Sequence, residues 1–303
     1  MTAEYCADAS VAVGEPLAGT AIAGVDRYLV LEHAIPWGPK GLEDSDVPVP
    51  IVERLRALSA RHPRLRVQLV RKMGGAPAQV RQLYLASSGE GEGEIRSLAI
   101  GDEALLTLDL EPWLAGTGPA PGALEREPLV LVCVHGRRDR CCARLGMPVY
   151  RALAAIAEPR VWQTTHLGGH RFAATLLVLP QGVCYGRVAP GEAAALLTAT
   201  KAGALHALDR IRGRTAYPPE AQAAEVMLRE RLHVLRDDAF LLRAVEPLGT
   251  GTRVRFFEHA SQREHEVDVA REALPPAPAS CGAAPKSGAR LVPLASLRSS
   301  ASS

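Results

Sequence analysis

The chain has 303 residues, of which 47% are hydrophobic, and this is enough to build two ordinary cores. Its 35 basic and 33 acidic residues leave a net charge of +2, which argues against a protein that binds nucleic acid or anionic membranes through a strong positive field. No apolar run approaches the ~20 residues of a membrane span, and the acidic start does not resemble a secretory signal. We therefore expect a cytoplasmic protein, with no nucleic acid and no membrane as partner.

The first part of the chain predicts an N-terminal α/β domain over residues 1–114. Glycine and proline breakers in residues 1–20 predict an irregular lead-in. Ile51, Leu55 and Leu58 recur at three- and four-residue spacing and predict a helix. The predicted elements are a strand at 28–32, a helix at 49–61 and strands at 65–70, 82–85 and 96–100. A Gly- and Pro-rich stretch follows and predicts a linker over residues 115–127.

Residues 128–210 predict a second domain, which opens with the apolar strand Leu129–Val134. The elements that follow are a helix at 144–157, a strand at 160–165, a hairpin at 176–185 and a helix at 192–205. This order is compatible with a thioredoxin fold if one helix, around the His166–His170 loop, is irregular or short. The predicted class is therefore α/β, with this thioredoxin-like domain after the N-terminal α/β unit.

A small α+β appendage is predicted over residues 211–273. Its elements are a helix at 220–235 and strands at 242–244, 253–257 and 265–269. The tail, residues 274–303, is rich in Pro, Ala and Ser and predicts loose order.

Side chains with metal-binding chemistry follow two strands of the second domain. Cys133 ends the first strand, with Cys141 and Cys142 beyond it, and His166 and His170 follow the next strand. Two thiolates and two imidazoles can bind zinc or a [2Fe-2S] cluster. Zinc fingers usually take their cysteines from a tight turn, whereas Cys133 and Cys142 are separated by a long loop, so the spacing favours the cluster. Either Cys141 or Cys142 can complete the set.

Two other functions use the same residues. A zinc-stabilised binding module needs only the same four donors. A thiol oxidoreductase would use the adjacent Cys141 and Cys142, but a thioredoxin-type enzyme needs Cys-x-x-Cys at a helix start and the chain has none. The glycines of His166-Leu-Gly-Gly-His170 disfavour the helix of a zinc protease and predict a loop.

The chain resembles the sucrase/ferredoxin-like family of thioredoxin-fold iron-sulfur proteins. The resemblance rests mainly on Cys133-x-His135-x-x-Arg138-Asp139-x-x-Cys142 and on His166-x-Gly-Gly-His170-Arg-Phe-Ala. Further matching segments are Glu15-Pro-Leu-Ala-Gly-Thr-Ala21, Leu31-Glu-His-x-x-Pro-Trp-Gly38, Leu179-Pro-x-Gly-x-x-Tyr185-Gly-Arg, Gln222-Ala-Ala-Glu225 and Ser280-Cys-Gly282.

The resemblance implies that Cys133, Cys142, His166 and His170 hold a [2Fe-2S] cluster, with Cys141 as the alternative ligand. His135, Arg138 and Asp139 are then candidates to surround the ligands and tune them. The function implied is electron transfer or redox sensing with an unidentified redox partner protein. An electron carrier is favoured over a stand-alone enzyme, and nothing supports a sucrase activity.

Histidine ligands also predict proton-coupled reduction. Neutral imidazoles leave less negative charge on a cluster than thiolates do, and an added electron favours protonation of the ring nitrogen that is not bound to iron. A redox titration over roughly pH 6 to 10 should show a window in which the potential falls by about 59 mV per pH unit. A potential that is flat throughout would leave plain electron transfer.

Overall fold

The computed structural model describes residues 5–89, 93–294 and 298–301. The helices are α1 (Cys6–Ala12), α2 (Val49–Arg61), α3 (Asp102–Thr107), α4 (Glu111–Leu114), α5 (Arg140–Ala157), α6 (Ala193–Lys201) and α7 (Pro219–Leu232). The strands are β1 (Arg27–Glu32), β2 (Leu65–Arg71), β3 (Val80–Ser87), β4 (Glu94–Gly101), β5 (Ala123–Glu125), β6 (Leu129–Cys133), β7 (Val161–Thr164), β8 (Leu176–Leu179), β9 (Val183–Tyr185), β10 (Ile211–Arg214), β11 (Phe240–Leu248), β12 (Gly251–Glu258), β13 (Arg263–Pro278), β14 (Pro285–Pro293) and β15 (Arg298–Ala301).

Within the described residues, ten strands form one mixed sheet in the order β10-β9-β8-β6-β7-β2-β1-β3-β4-β5. The sheet has two halves with the same order and the same pairing directions. In each half a central strand pairs parallel with the strand that follows its helix and antiparallel with the next one, as β1 does with β2 and β3 and as β6 does with β7 and β8. The antiparallel pair of β2 and β7 joins the halves, so the loops of one half reach the other.

The core lies on both faces of this sheet because its central strands are apolar on both sides. All five residues of β6 are buried. Helix α2 buries Ile51, Leu55 and Leu58, the three residues whose spacing predicts it. The segment from β6 to α6 follows the predicted βαβββα order, with a short 3-10 helix at His170–Phe172 in the loop after β7.

The second sheet is built from β11 to β15 and packs with α7. A buried ion network connects α7 to the large sheet. Glu225 Oε1 accepts bonds of 2.9 Å from Nε of both Arg214 and Arg229. Arg229 is fully buried, and its Nη1 donates to the carbonyl of Arg236 at 2.6 Å. All three charges are therefore satisfied inside the protein.

The predicted class is confirmed: the chain is α/β with a large mixed sheet and a small C-terminal sheet. The domain boundaries stay a proposal. The structure places β5 inside the predicted linker, and the two predicted domains share one continuous sheet.

Two segments differ from the sequence-based expectation. The irregular lead-in contains α1, whose seven residues are too few to show a helical period and depend on packing. The loosely ordered tail instead continues β13 and forms β14, because strand pairing overrides its unfavourable composition. Residues 1–4 of the lead-in, and 295–297 and 302–303 of the tail, lie outside the described residues.

Candidate metal centre

The start of α5 separates the two adjacent cysteines. Asp139 caps this helix, and its Oδ1 accepts the N–H of Cys141 at 2.9 Å. Cys141 and Cys142 then occupy the first turn, where successive side chains point about 100° apart. Cys142 packs with Cys133, whereas Cys141 packs with Cys6. The two thiols therefore belong to different environments.

The predicted ligands meet between the end of β6, the start of α5 and the loop after β7. His166 Nδ1 lies 3.9 Å from Cys133 Sγ and 3.7 Å from Cys142 Sγ. The ring of His170 stacks on that of His166 with centroids 5.0 Å apart. The structure thus groups the donor atoms of Cys133, Cys142 and His166, places the ring of His170 beside them, and turns Cys141 away. Cys184 is buried in the hairpin, 3.5 Å from Nη1 of Arg212.

The charges of the two thiols depend on each other. A hydrogen bond from Cys142 holds the pKa of Cys133 well below its usual range. The same bond, together with burial, raises the pKa of Cys142. Loss of a proton is therefore easier at Cys133 than at Cys142, and a bound cation would favour the thiolate form of both.

The donors fit a [2Fe-2S] cluster held by two thiolates and two imidazoles. Burial lowers the pKa of His170, which keeps its ring neutral. Among the described residues, Nδ1 of His170 is buried and has no hydrogen-bond partner. Burying a nitrogen that has no hydrogen-bond partner costs free energy, and a metal bound to that nitrogen would remove the cost.

His135 and Arg66 fix the backbone of His166. The N–H of His166 donates to Nδ1 of His135 at 3.2 Å, and His135 Nε2 in turn donates to the carbonyl of Gly38 at 2.7 Å. Arg66 Nη2 donates to the carbonyl of His166 at 2.7 Å. Arg66 lies in β2 and Gly38 in the segment between β1 and α2, so the first part of the chain supports the loop that carries His166.

Arg138 and Asp139 are the other two candidates to surround the ligands, and their side chains lie in different environments. Asp139 is buried, and its Oδ2 lies 3.8 Å from Nε2 of His170. Arg138 is exposed and lines an open cleft of about 670 Å³ beside His166. Lys40, Arg56 and Arg66 also line this cleft, with Glu43 as its acidic residue, so the approach to His166 is basic.

The two glycines of the His loop are required by the chain path. Gly168 and Gly169 have φ of 89° and 68°, which other residues rarely adopt. A Cβ on Gly169 would lie 2.5 Å from Nη2 of Arg212. Arg212 is almost fully buried and donates to the carbonyl of Gly168 at 2.8 Å. This buried guanidinium thus supports the loop that carries both histidines.

Local sequence patterns do not identify Arg66 or Arg212 as part of the site. Arg66 contacts His166, which is 100 residues away along the chain, and Arg212 contacts Gly168, which is 44 residues away. The Leu31–Gly38 motif is the signal for Gly38. It also contains Trp37, whose ring meets that of His135 edge-on at 5.8 Å.

Gly146 lets α5 approach the end of β6, and this contact gives a test. A Cβ at Gly146 would lie 2.1 Å from the carbonyl oxygen of Cys133, which is backbone and cannot turn aside. We expect Gly146→Ala to lower the free energy of unfolding by about 1–3 kcal/mol in urea denaturation. Gly191→Ala is the control, since a Cβ there meets nothing within 4 Å. Equal stability of both variants would show that α5 does not approach this closely.

The fold and these donors define a class: an α/β protein with a buried group of Cys and His side chains that could hold a metal. The model of the sucrase/ferredoxin-like family matches residues 20–213. The chain therefore belongs to the sucrase/ferredoxin-like family.

One curated relative is altered inheritance of mitochondria protein 32 of Meyerozyma guilliermondii, 30% identical over 97 residues. The match covers 29% of this chain and 34% of that protein, so the chain spans about a third of the relative's length. Two solved structures of the thioredoxin-like [2Fe-2S] ferredoxin from Aquifex aeolicus are also similar. A cysteine-to-serine variant is 20% identical with a TM-score of 0.25, covering 28% of this chain and 96% of that one. The other is 19% identical with a TM-score of 0.26, covering 29% and 91%.

None of the helices in the described parts of the chain has the length and apolar character needed to cross a membrane.

Proposed function

We propose that this protein is a [2Fe-2S] electron carrier or redox sensor whose cluster is held by Cys133, Cys142, His166 and His170. When bound, the cluster would supply one-electron chemistry. The observation that carries the proposal is the meeting of His166 Nδ1 with two buried thiols, at 3.9 Å and 3.7 Å, beside the stacked ring of His170. Two thiols and two imidazoles are a donor set that iron-sulfur clusters use.

The surrounding residues position the histidines. His135 and Arg66 hold the N–H and the carbonyl of His166, and Arg212 holds Gly168. A site whose ligands are oriented in advance keeps the same geometry in both redox states, which lowers the structural change that accompanies each electron. Arg66 of the first half and His135 and Arg212 of the second half therefore support the proposed centre.

The electron partner is proposed to be a protein with an acidic surface. Four basic side chains and one acidic side chain line the cleft beside His166. An encounter steered by these charges should weaken as ionic strength rises. The cytoplasm is the compartment that we propose.

The full chain, purified without oxygen, tests the proposed function directly. We expect a coloured protein with thiolate-to-iron charge-transfer bands and with two irons and two sulfides per chain. A colourless protein with zinc bound through Cys133 and Cys142 would favour the zinc-stabilised module instead. Redox-active thiols without any metal at these residues would point to the thiol oxidoreductase.

A further inference from the structure

A second group of sulfur atoms lies beside the proposed cluster ligands and takes no part in holding them. It consists of Cys6 in α1, Cys141 in α5 and Cys281 in the turn between β13 and β14. Their Sγ atoms are 3.7 Å apart for Cys6 and Cys141, 3.5 Å for Cys141 and Cys281, and 3.7 Å for Cys281 and Cys6. Three segments that are distant in the sequence thus place three thiols at the corners of a triangle.

The carboxylate of Asp139 completes the group. Its Oδ1 lies 3.1 Å from Cys281 Sγ and 3.7 Å from Cys6 Sγ. One ligand atom from each of the four residues can be chosen so that all lie within 4.8 Å of one another. Cys6, Cys141 and Asp139 are buried, and Cys281 is partly exposed.

The distances match the edges of a tetrahedron around zinc. With Zn–S bonds of about 2.3 Å, two sulfurs of a tetrahedral site lie about 3.8 Å apart, and a sulfur and a carboxylate oxygen about 3.5 Å apart. The three sulfurs are too far apart for a disulfide, which needs about 2.05 Å. Thiols are soft donors and a carboxylate oxygen is a hard one, and zinc accepts both kinds.

The backbone orients the carboxylate. Asp139 Oδ1 accepts the N–H of Cys141 at 2.9 Å, and Oδ2 accepts the N–H of Cys281 at 2.8 Å. Cys141 lies in the first turn of the 18-residue helix α5, directly after the capping residue Asp139. The carboxylate therefore stays among the sulfurs without the freedom of an exposed acid.

We propose that Cys6, Cys141, Cys281 and Asp139 bind a zinc ion that fastens α1 and the β13–β14 turn to the start of α5. The protein fills all four positions of this site, so its role is structural. The ion would link Cys6 to Cys141, 135 positions apart in the sequence, and Cys141 to Cys281, 140 positions apart. Cross-links that close such long loops restrict the unfolded chain most. The fastened turn also brings the backbone of Ala279 to the ring of His170.

The test is metal analysis of the full-length protein after equilibration with zinc and removal of the excess. We expect zinc at one ion per chain and its loss in Cys281→Ser, a variant at a partly exposed position that disturbs the core least. Cys6→Ser should lose the zinc as well. Ser280→Ala, one residue away, is the matched control and should keep it. Co²⁺ added to the metal-free wild-type protein gives an independent optical readout, since thiolate-to-cobalt charge-transfer bands should appear in the wild type and weaken in Cys281→Ser.

The outcomes separate this site from the proposed cluster. Zinc that persists in Cys133→Ser and disappears in Cys281→Ser supports the proposal, whether or not iron is present. Zinc that disappears in Cys133→Ser and persists in Cys281→Ser overturns it, because the ion then lies at the other donors. The proposal is also overturned if the wild type binds no zinc or if iron or copper occupies this site. A mass that shows a disulfide among Cys6, Cys141 and Cys281 overturns it as well.

Discussion

Cys142→Ser is expected to remove the iron and sulfide of the proposed cluster, whereas Cys141→Ser should leave them in place. The two residues are adjacent, but helix α5 turns them to different neighbours. Cys142 Sγ lies 3.7 Å from His166 Nδ1, while Cys141 Sγ lies 3.5 Å from Cys281 Sγ. A serine hydroxyl is a poor ligand for iron in place of a thiolate. Visible absorption and iron analysis of the anaerobically purified variants measure the difference.

The same measurement extends to the other donors. Cys133→Ala, His166→Ala and His170→Ala should each lose or alter the absorption, because each removes one donor from the set. Cys184 is a buried cysteine outside this set, so the Cys184→Ala variant should keep the absorption. If Cys141→Ser bleaches the protein and Cys142→Ser does not, the ligand assignment is wrong by one residue.

Glu225→Gln is expected to destabilise the fold by about 3–5 kcal/mol, which is typical when one partner of a buried ion pair is removed. Glutamine keeps the size of the side chain but leaves Arg214 and Arg229 without a counter-charge. Both guanidinium groups bond to Oε1 of Glu225 at 2.9 Å, and the Arg229 side chain is fully buried. Urea denaturation of the two proteins at neutral pH measures this loss.

The pH dependence of the same variant gives a second readout. Burial raises the pKa of Glu225, but the charges of Arg214 and Arg229 outweigh it, so the pKa lies below its ordinary value of 4.5. The stabilisation is therefore fully present above the unfolded pKa and is lost as the pH falls through the folded one. The difference in the free energy of unfolding between wild type and Glu225→Gln should therefore become smaller in acid.

Glu220→Gln is the control for this network, because Glu220 pairs with Arg271 at the exposed surface. Exposed pairs contribute about 0–1 kcal/mol. A loss for Glu225→Gln as small as that of Glu220→Gln would contradict the role of the buried network.

Local patterns in the sequence predict much of the fold. The spacing of Ile51, Leu55 and Leu58 predicts α2 at the bounds that the structure has, 49–61. The apolar run from Leu129 predicts β6, because a strand buried on both faces needs no polar residue. The short helix α1 and the strand β14 are missed, since neighbouring elements stabilise them more than their own residues do.

The sequence by itself determines the kinds of donor and the strands they follow. Cys133, the Cys141–Cys142 pair, His166 and His170 are recognisable as donors because their types and spacing lie within one stretch of chain. Only the family resemblance favours Cys142 over Cys141. The tertiary structure alone decides how the thiols are grouped. Cys6 and Cys281 meet although they are 275 residues apart, and Arg66 reaches His166 across 100 residues. Sequence periodicity reports only neighbours along one helix or strand, whereas these contacts exist because the β2–β7 pair and the second sheet bring distant segments to the start of α5.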